Sequence, residues 1–566
     1  MFPPPPTAQG VGSQTFTAPP IDGSLSVTQI IDHHFAKSPS HPLFRYRASD
    51  APDSFEELCW RDVAPAIHRA AYFVKLKVQA ISCASGAPIV GILSEAVNIP
   101  HSFALVYGVI RAGFPVQLIS PYNSSTTAGH VLFTAGVTHL FVEDSLRDMV
   151  NTALELVKKE HPAFALSVLD LPTFDDLYPK GHAALETLPP AHAPDLDSVA
   201  MGIQSSGSTA LPKIIWITHQ ALLARFRSPW YSELDLCGEV AGLFALQLCF
   251  SLGIGVTGYA IACGMVCAVQ SPADAGTAFL PQSAIRDMAV TRCTLAFAYP
   301  VHVEAWVQVP GAAAVLSQLK SVQYCGAPLN KAIGDALTRE GVPLTSRYGT
   351  SDIECVTMCV PARPTADTWE YFEFSPHVSP YFKPLGDGKF ELYPASCATH
   401  IPSVFHTEID GVPAYATKDI VIQHPQYPNK YAHAGRVDDL IVLGDAYQFY
   451  PVPLENIIKL DPRVKGVLLL GHGKPRTGLL IEPVDTIDAS DHPAVSSYRD
   501  AIWEIVEKVN EIYQIEARIA KEMVILANPS KPFVYTAKGN PQRQKILGIY
   551  HDEIEAAYGS MASISI

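Results

Sequence analysis

The chain has 566 residues, with hydrophobic residues at 48% and charged residues at 17%, a balance that excludes a disordered polymer. Lys+Arg of 40 against Asp+Glu of 55 gives a net charge of −15, which argues against nucleic acid or an anionic membrane as a partner. The length suits an enzyme of two or more domains with real cores.

Residues 1–25 read as a Pro-rich tail without a core of its own, and its opening MFPPPPTAQG lacks the basic and apolar regions of a secretory signal. From Trp60 to Val74 the residues Val63, Ile67, Ala70, Ala71 and Val74 share one helical face, with Pro65 in the first turn. Pro88–Leu93, Phe114–Ser120 and Thr138–Val142 are apolar runs of strand length, separated by helical spacers such as Ser102–Arg111 before Gly113. That alternation predicts a mostly parallel sheet covered by helices. Val240–Ala273 contains no Asp, Glu, Lys or Arg, and on length alone it could span a bilayer. Its five glycines and the embedded Gln247 and Gln270 suit a packed core better than lipid. A break falls near Gly435-Arg436. Beyond it, Val464–Pro483 reads as two strands. Ile502, Ile505, Val506, Val509, Ile512 and Tyr513 then line a helix with Ser497 as its cap. The expected division is a large domain over 26–435 and a small α+β domain over 436–566. The 11 cysteines form no CxxC pair and no zinc-finger spacing, so free thiols in the reducing cytoplasm are expected.

The strongest local signal is Gln204-Ser-Ser-Gly-Ser-Thr-Ala-Leu-Pro-Lys213. Ser205, Ser206, Ser208 and Thr209 flank Gly207, and Lys213 closes the loop. Small residues let backbone N–H groups approach phosphate oxygens, hydroxyls add donors, and lysine adds charge. No Walker GK[ST] is present, and the apolar strand Ile214–Ile217 follows where a Walker loop would begin a helix. Alone, a Ser/Gly-rich surface loop explains the segment equally well.

The loop is accompanied, in order, by QYCGAPLN (Gln323–Asn330), RYGTSD (Arg347–Asp352), YATKD (Tyr415–Asp419), GRVDDLI (Gly435–Ile441) and YTAKGNPQRQ (Tyr535–Gln544). This set resembles the AMP-forming adenylate ligase superfamily of acyl-CoA ligases, luciferases and nonribosomal peptide synthetase adenylation domains. LISPYNSS (Leu118–Ser125), Pro451–Ile458 and Pro541–Leu547 look most like the adenylation domains of fungal synthetase-like carboxylic acid reductases of secondary metabolism.

The resemblance implies an α/β fold: a large N-terminal domain of mostly parallel sheets and a distorted barrel with packed helices, plus a small mobile α+β C-terminal domain. It implies ATP and Mg²⁺ as cofactors, a small carboxylic acid as substrate, and a thiol acceptor, either a carrier-domain phosphopantetheine or CoA. Ser205, Ser206, Gly207, Ser208, Thr209 and Lys213 would cradle phosphates. Gly326, Ala327, Pro328 and Tyr348 would flank adenine. Ser351 would meet the α-phosphate, Asp352 would help hold Mg²⁺, and Asp419 with Arg436 would bind ribose. Lys538 would bridge the acid and the α-phosphate, and Asp438 would be the hinge. Phe250, Gly253, Tyr299 and Cys325 are candidate walls of the acyl pocket. The charge-free stretch offers no carboxylate to an ammonium, which favours a non-amino acid, aryl or otherwise apolar.

Departures from the pattern are Ala210, Asp352, Lys418, Ala446 and Gln448. They keep open a catalytically weakened binding protein beside the two ligase readings, a carrier-loading domain and a free-standing CoA ligase. No carrier-protein serine motif follows Lys538, so either a stand-alone ligase or an adenylation domain of a longer enzyme is expected.

Overall fold

The computed structural model describes the chain except residues 1–4, 80–87, 96–97, 181–186, 206–210, 275–279, 362–365, 445–446, 513–517, 537–538 and 563–566. The three apolar runs become neighbouring buried strands of one sheet. Its order is Ser167–Asp170, His139–Val142, Val90–Leu93, Val116–Ile119, Val199–Gln204 and Ile214–Thr218. All pairs are parallel except the last, a hairpin. A second sheet runs Leu344–Ser346, Ser321–Tyr324, Leu295–Ala298, Val240–Gly242, Val266–Ala268, Pro42–Arg47 and Phe55–Cys59, again parallel except at its last pair. Helices cover both. Parallel strands buried on two faces account for the unbroken apolar runs.

The charge-free stretch is strand Val240–Gly242, helix Ser251–Cys263 and strand Val266–Ala268. The helix has 13 residues and is enclosed nearly all round, so it shows no amphipathic face. No described helix is long and apolar enough to cross a membrane. A Cβ on Gly253 would lie 2.1 Å from the Gln247 carbonyl oxygen, whereas one on Gly255 would meet only the Tyr259 hydroxyl at 3.8 Å. Gly253→Ala is therefore expected to cost about 1–3 kcal/mol by overpacking. Gly255→Ala should be neutral or stabilise by roughly 0.5–1 kcal/mol, because alanine is the better helix former. Thermal unfolding of the two variants checks the contrast, and equal effects would refute it.

Two corrections concern helix starts. Helix Trp60–Gln79 begins early enough that Pro65 lies inside it rather than in its first turn. Helix His492–Ile512 begins five residues before Ser497, which is interior. There Asp491 Oδ1 accepts the Ala494 N–H at 3.1 Å and Pro493 occupies the first turn, a stronger start than Ser497 offers.

The N-terminal segment is packed against the large domain. Phe16 is buried against His34 and His41, and Gln9 bonds to the Pro229 and Leu234 carbonyls and the Leu236 N–H. A third, antiparallel sheet of seven strands lies between Phe372 and Arg436.

A separate C-terminal domain follows. It holds the three-stranded sheet Val464–Leu470, Gly478–Pro483 and Val524–Leu526, flanked by helices Pro451–Ile458, His492–Ile512, Arg543–Ile549 and His551–Ala562. Among the described residues, its two apolar clusters draw on residues from Ile441 onward, and the other four draw on earlier residues. Each part therefore buries its own core. The ten described cysteines are free thiols.

Candidate active site

The serine-rich loop joins the two strands of the hairpin. Ser205 N–H donates to the Lys213 carbonyl and Lys213 N–H to Ser205 Oγ, both at 2.9 Å, closing its base and leaving Lys213 exposed. Gln204, just before it, exchanges amide hydrogen bonds with Asn123 at 2.9 and 3.0 Å and accepts the Ser120 N–H at 3.2 Å. The LISPYNSS segment thus braces the loop from the side. Ser206, Gly207, Ser208, Thr209 and the departure Ala210 lie outside the described residues, as do Ala446 and Lys538.

Asp419 and Arg436 face each other across an antiparallel strand pair. Arg436 Nη1 donates to Asp419 Oδ1 at 3.1 Å, and the Tyr348 hydroxyl donates to Oδ2 at 2.6 Å. His433 Nε2 lies 3.7 Å from Oδ1 and its ring stacks against Tyr348. Asp419 is only 5% exposed. Burial alone would raise its pKa, but His433, Arg436 and the Tyr348 hydroxyl more than offset that and hold it below the usual carboxylate range. The result is a fixed, ionised acceptor, suited to vicinal hydroxyls. Lys418, one of the departures from the pattern, has φ +59°. A lysine in this left-handed conformation costs about 1–2 kcal/mol. The Lys418 ammonium pairs with Asp438 at 3.2 Å, and Arg436 Nη2 reaches Asp438 at 3.4 Å.

Gly326, at φ +90°, turns the chain out of strand Ser321–Tyr324 into exposed or half-buried Ala327 and Pro328. Its carbonyl accepts Asn540 Nδ2 of the C-terminal domain at 2.9 Å. Ser351 and Asp352 form the turn of the small hairpin Gly349–Thr350 and Glu354–Cys355. A Cβ on Gly349 would collide with the Glu354 carbonyl oxygen at 2.1 Å, so this turn needs its glycine. The Asp352 carboxylate is faced by the Tyr415 hydroxyl, and burial with that carboxylate raises the Tyr415 pKa.

The acyl-pocket candidates converge in part. The Phe250 and Tyr299 rings meet edge to face at 6.4 Å, and Cys325 N–H donates to the Ala298 carbonyl at 3.3 Å. Phe250 precedes the buried helix whose first turn contains Gly253. Sequence reasoning assigned no role to His433, Tyr415, Asn123 or Arg225, a buried arginine against the Ser351 turn. Tyr415 and Asn123 lie in the motifs YATKD and LISPYNSS, and Gln204 opens the serine-rich loop, whereas Arg225 lies in none.

A family model described as AMP-binding enzyme matches residues 31–374, and one described as AMP-binding enzyme C-terminal domain matches 438–562. The chain belongs to the AMP-binding enzyme family and is of the AMP-forming ligase class. It is 35% identical to the adenylate-forming reductase Nps10 of Heterobasidion annosum, over 98% of this chain and 52% of that protein. It is 24% identical to a carboxylic acid reductase of Neurospora crassa, over 90% of this chain and 48% of that protein. The chain thus spans about half the length of these relatives. Among solved structures it resembles the anthranilate CoA ligase AuaEII in complex with anthranoyl-AMP, with TM-score 0.69, 15% identity and coverage of 95% and 98% of the two chains. The O-succinylbenzoate CoA synthetase MenE of Bacillus subtilis in complex with AMP gives TM-score 0.67, 14% identity and coverage of 91% and 97%.

Proposed function

We propose that this chain joins a small non-amino carboxylic acid to ATP, giving acyl-AMP and pyrophosphate. It then passes the acyl group to a carrier-domain phosphopantetheine thiol, releasing AMP. The observation that carries the reading is the ionised Asp419 constellation, held by Tyr348 and Arg436; Asn540 of the C-terminal domain bonds to the Gly326 turn. Asp419 and Arg436 would take the ribose, with Tyr348 and Gly326-Ala327-Pro328 about the adenine. The Ser205–Lys213 loop would take the β- and γ-phosphates, and Ser351 the α-phosphate. Two anions must meet, so the site needs fixed donors and cations, which Lys213 and Lys538 supply.

Asp352 is a half-buried carboxylate beside the hydroxyls of Thr350 and Tyr415. Such a hard oxygen set fits Mg²⁺, which prefers one or two carboxylates plus substrate phosphates. Asp352 would hold the ion, which when bound would neutralise phosphate charge. Phe250, Tyr299 and Cys325 would enclose the acyl chain, and Asp438 would be the pivot between half-reactions. The resemblance of LISPYNSS, Pro451–Ile458 and Pro541–Leu547 to fungal synthetase-like adenylation domains supports a carrier over free CoA as acceptor.

Carboxylate-dependent ATP–pyrophosphate exchange across a panel of acids tests the first half-reaction. Exchange with aryl or apolar acids above α-amino acids is expected, and no exchange with any acid would sink the reading. Offering CoA and a pantetheinylated carrier side by side tests the second half, with thioester expected on the carrier.

A further inference from the structure

Arg225 is 3% exposed and belongs to helix His219–Phe226, which directly follows the hairpin strand bearing the serine-rich loop. A guanidinium stays charged at any physiological pH, so enclosing one is costly unless its donors are used. Here Nη1 and Nη2 are spent on three separate elements, while the buried Nε has no partner among the described residues. Nη1 donates to Ser251 Oγ at 3.3 Å, at the first residue of the buried pocket helix. Nη2 donates to the Ser351 carbonyl at 3.1 Å and to Ser403 Oγ at 2.7 Å. Ser403 N–H in turn donates to the Asp352 carbonyl at 2.7 Å. Both peptide carbonyls of the Ser351–Asp352 turn are therefore held by one side chain, the first directly and the second through Ser403. The nearby Asp352 carboxylate supplies opposing charge. Packing alone would be served by a neutral side chain. A planar fork with charge-assisted bonds instead fixes directions as well as distance.

We propose that Arg225 is a positioning residue for the adenylation step: it locks the Ser351–Asp352 turn in register with the phosphate hairpin and so prepares it for Mg·ATP. The proposal rests on the nucleotide site proposed above. It predicts a specific split. Arg225→Met should weaken Mg·ATP binding by about tenfold, the scale of a lost charged hydrogen bond. It should leave adenosine binding, which depends on Asp419, unchanged. Arg225→Lys should recover part of the loss. Ser403→Ala should shift Mg·ATP affinity in the same direction by less, and the double variant should be no worse than Arg225→Met, since both act on one turn.

Titration calorimetry of the full chain with adenosine, ATP and Mg·ATP reads all of this without turnover. Equal loss of adenosine and Mg·ATP affinity, or no loss of either, overturns the proposal. If Arg225→Met does not fold, Ser403→Ala decides: an unchanged advantage of Mg·ATP over ATP refutes it. Wild-type protein that binds Mg·ATP but supports exchange with no acid would overturn the adenylation reading while this split remained measurable. Wild-type protein that does not bind adenosine would overturn both.

Discussion

Replacing Lys538 with alanine is expected to lower carboxylate-dependent ATP–pyrophosphate exchange by roughly 10²–10³-fold, the cost of losing one donor aimed at developing charge. ATP affinity should stay within about threefold, because the interaction is strongest in the transition state and weak in the ground state. The segment carrying this lysine is held on both sides. Thr536 N–H donates to the Asn540 carbonyl at 2.7 Å and Gly539 N–H to the Thr536 carbonyl at 2.9 Å. Tyr535 bridges Pro541 in an antiparallel pair. Gly539 has φ +82°, and a Cβ there would meet Val301 of the large domain at 3.3 Å. Together with the Asn540 bond to Gly326, these contacts set the flanks of the segment against the Gly326 loop. Transfer from synthetic acyl-AMP to the thiol should be far less affected, since in the proposed mechanism the C-terminal domain moves before that half-reaction. Exchange undiminished in Lys538→Ala would remove the lysine from the mechanism. Equal loss in both half-reactions would point to a damaged domain instead.

What could be read beforehand divides along physical lines. Buried parallel strands announce themselves as short apolar runs, and Val90–Leu93, Val116–Ile119 and His139–Val142 lie where such runs occur. Asp419 and Arg436 were legible because each sits in a local motif, and the strand register then places them together. Arg225 was not legible: in ALLARF it looks like any basic residue of a helix, and its Ser351 partner is 126 positions away. His433 and Tyr415 lie beside or within quoted motifs, but the carboxylates that face them, Asp419 across the strand pair and Asp352 far back in the chain, are brought there by tertiary packing. Ser497 misled because a serine with Asp500 three residues on mimics a capping pattern, while the Asp491-His-Pro start lies upstream. The charge-free stretch was ambiguous in principle, since an enclosed helix and a membrane helix share one pattern, and only neighbours such as Phe226 against Gly258 distinguish them.

Arg543→Ala should destabilise the C-terminal domain by about 3–5 kcal/mol, because it strands a buried carboxylate. Arg543 Nη2 contacts both Glu455 oxygens, at 2.5 and 2.6 Å, and Nη1 donates to the Leu469 carbonyl at 3.2 Å. Glu455 also accepts the Leu469 N–H at 2.7 Å, and Arg543 Nε lies 3.6 Å from Asp439. One side chain thus joins the helix Pro451–Ile458, the strand Val464–Leu470 and the helix Arg543–Ile549. Glu455→Ala should cost a similar amount by stranding the arginine. Arg543→Met with Glu455→Leu should recover most of the loss, since no charge is then left buried. Because the two parts of the chain bury separate cores, the damage should stay local. Limited proteolysis should cut Arg543→Ala within the C-terminal domain first. Exchange should fall, while adenosine binding through Asp419, Tyr348 and Arg436 persists. A protease pattern and melting curve identical to wild type would show that the pair contributes nothing beyond its neighbours. Loss of adenosine binding in step with exchange would show instead that the two cores do not stand independently.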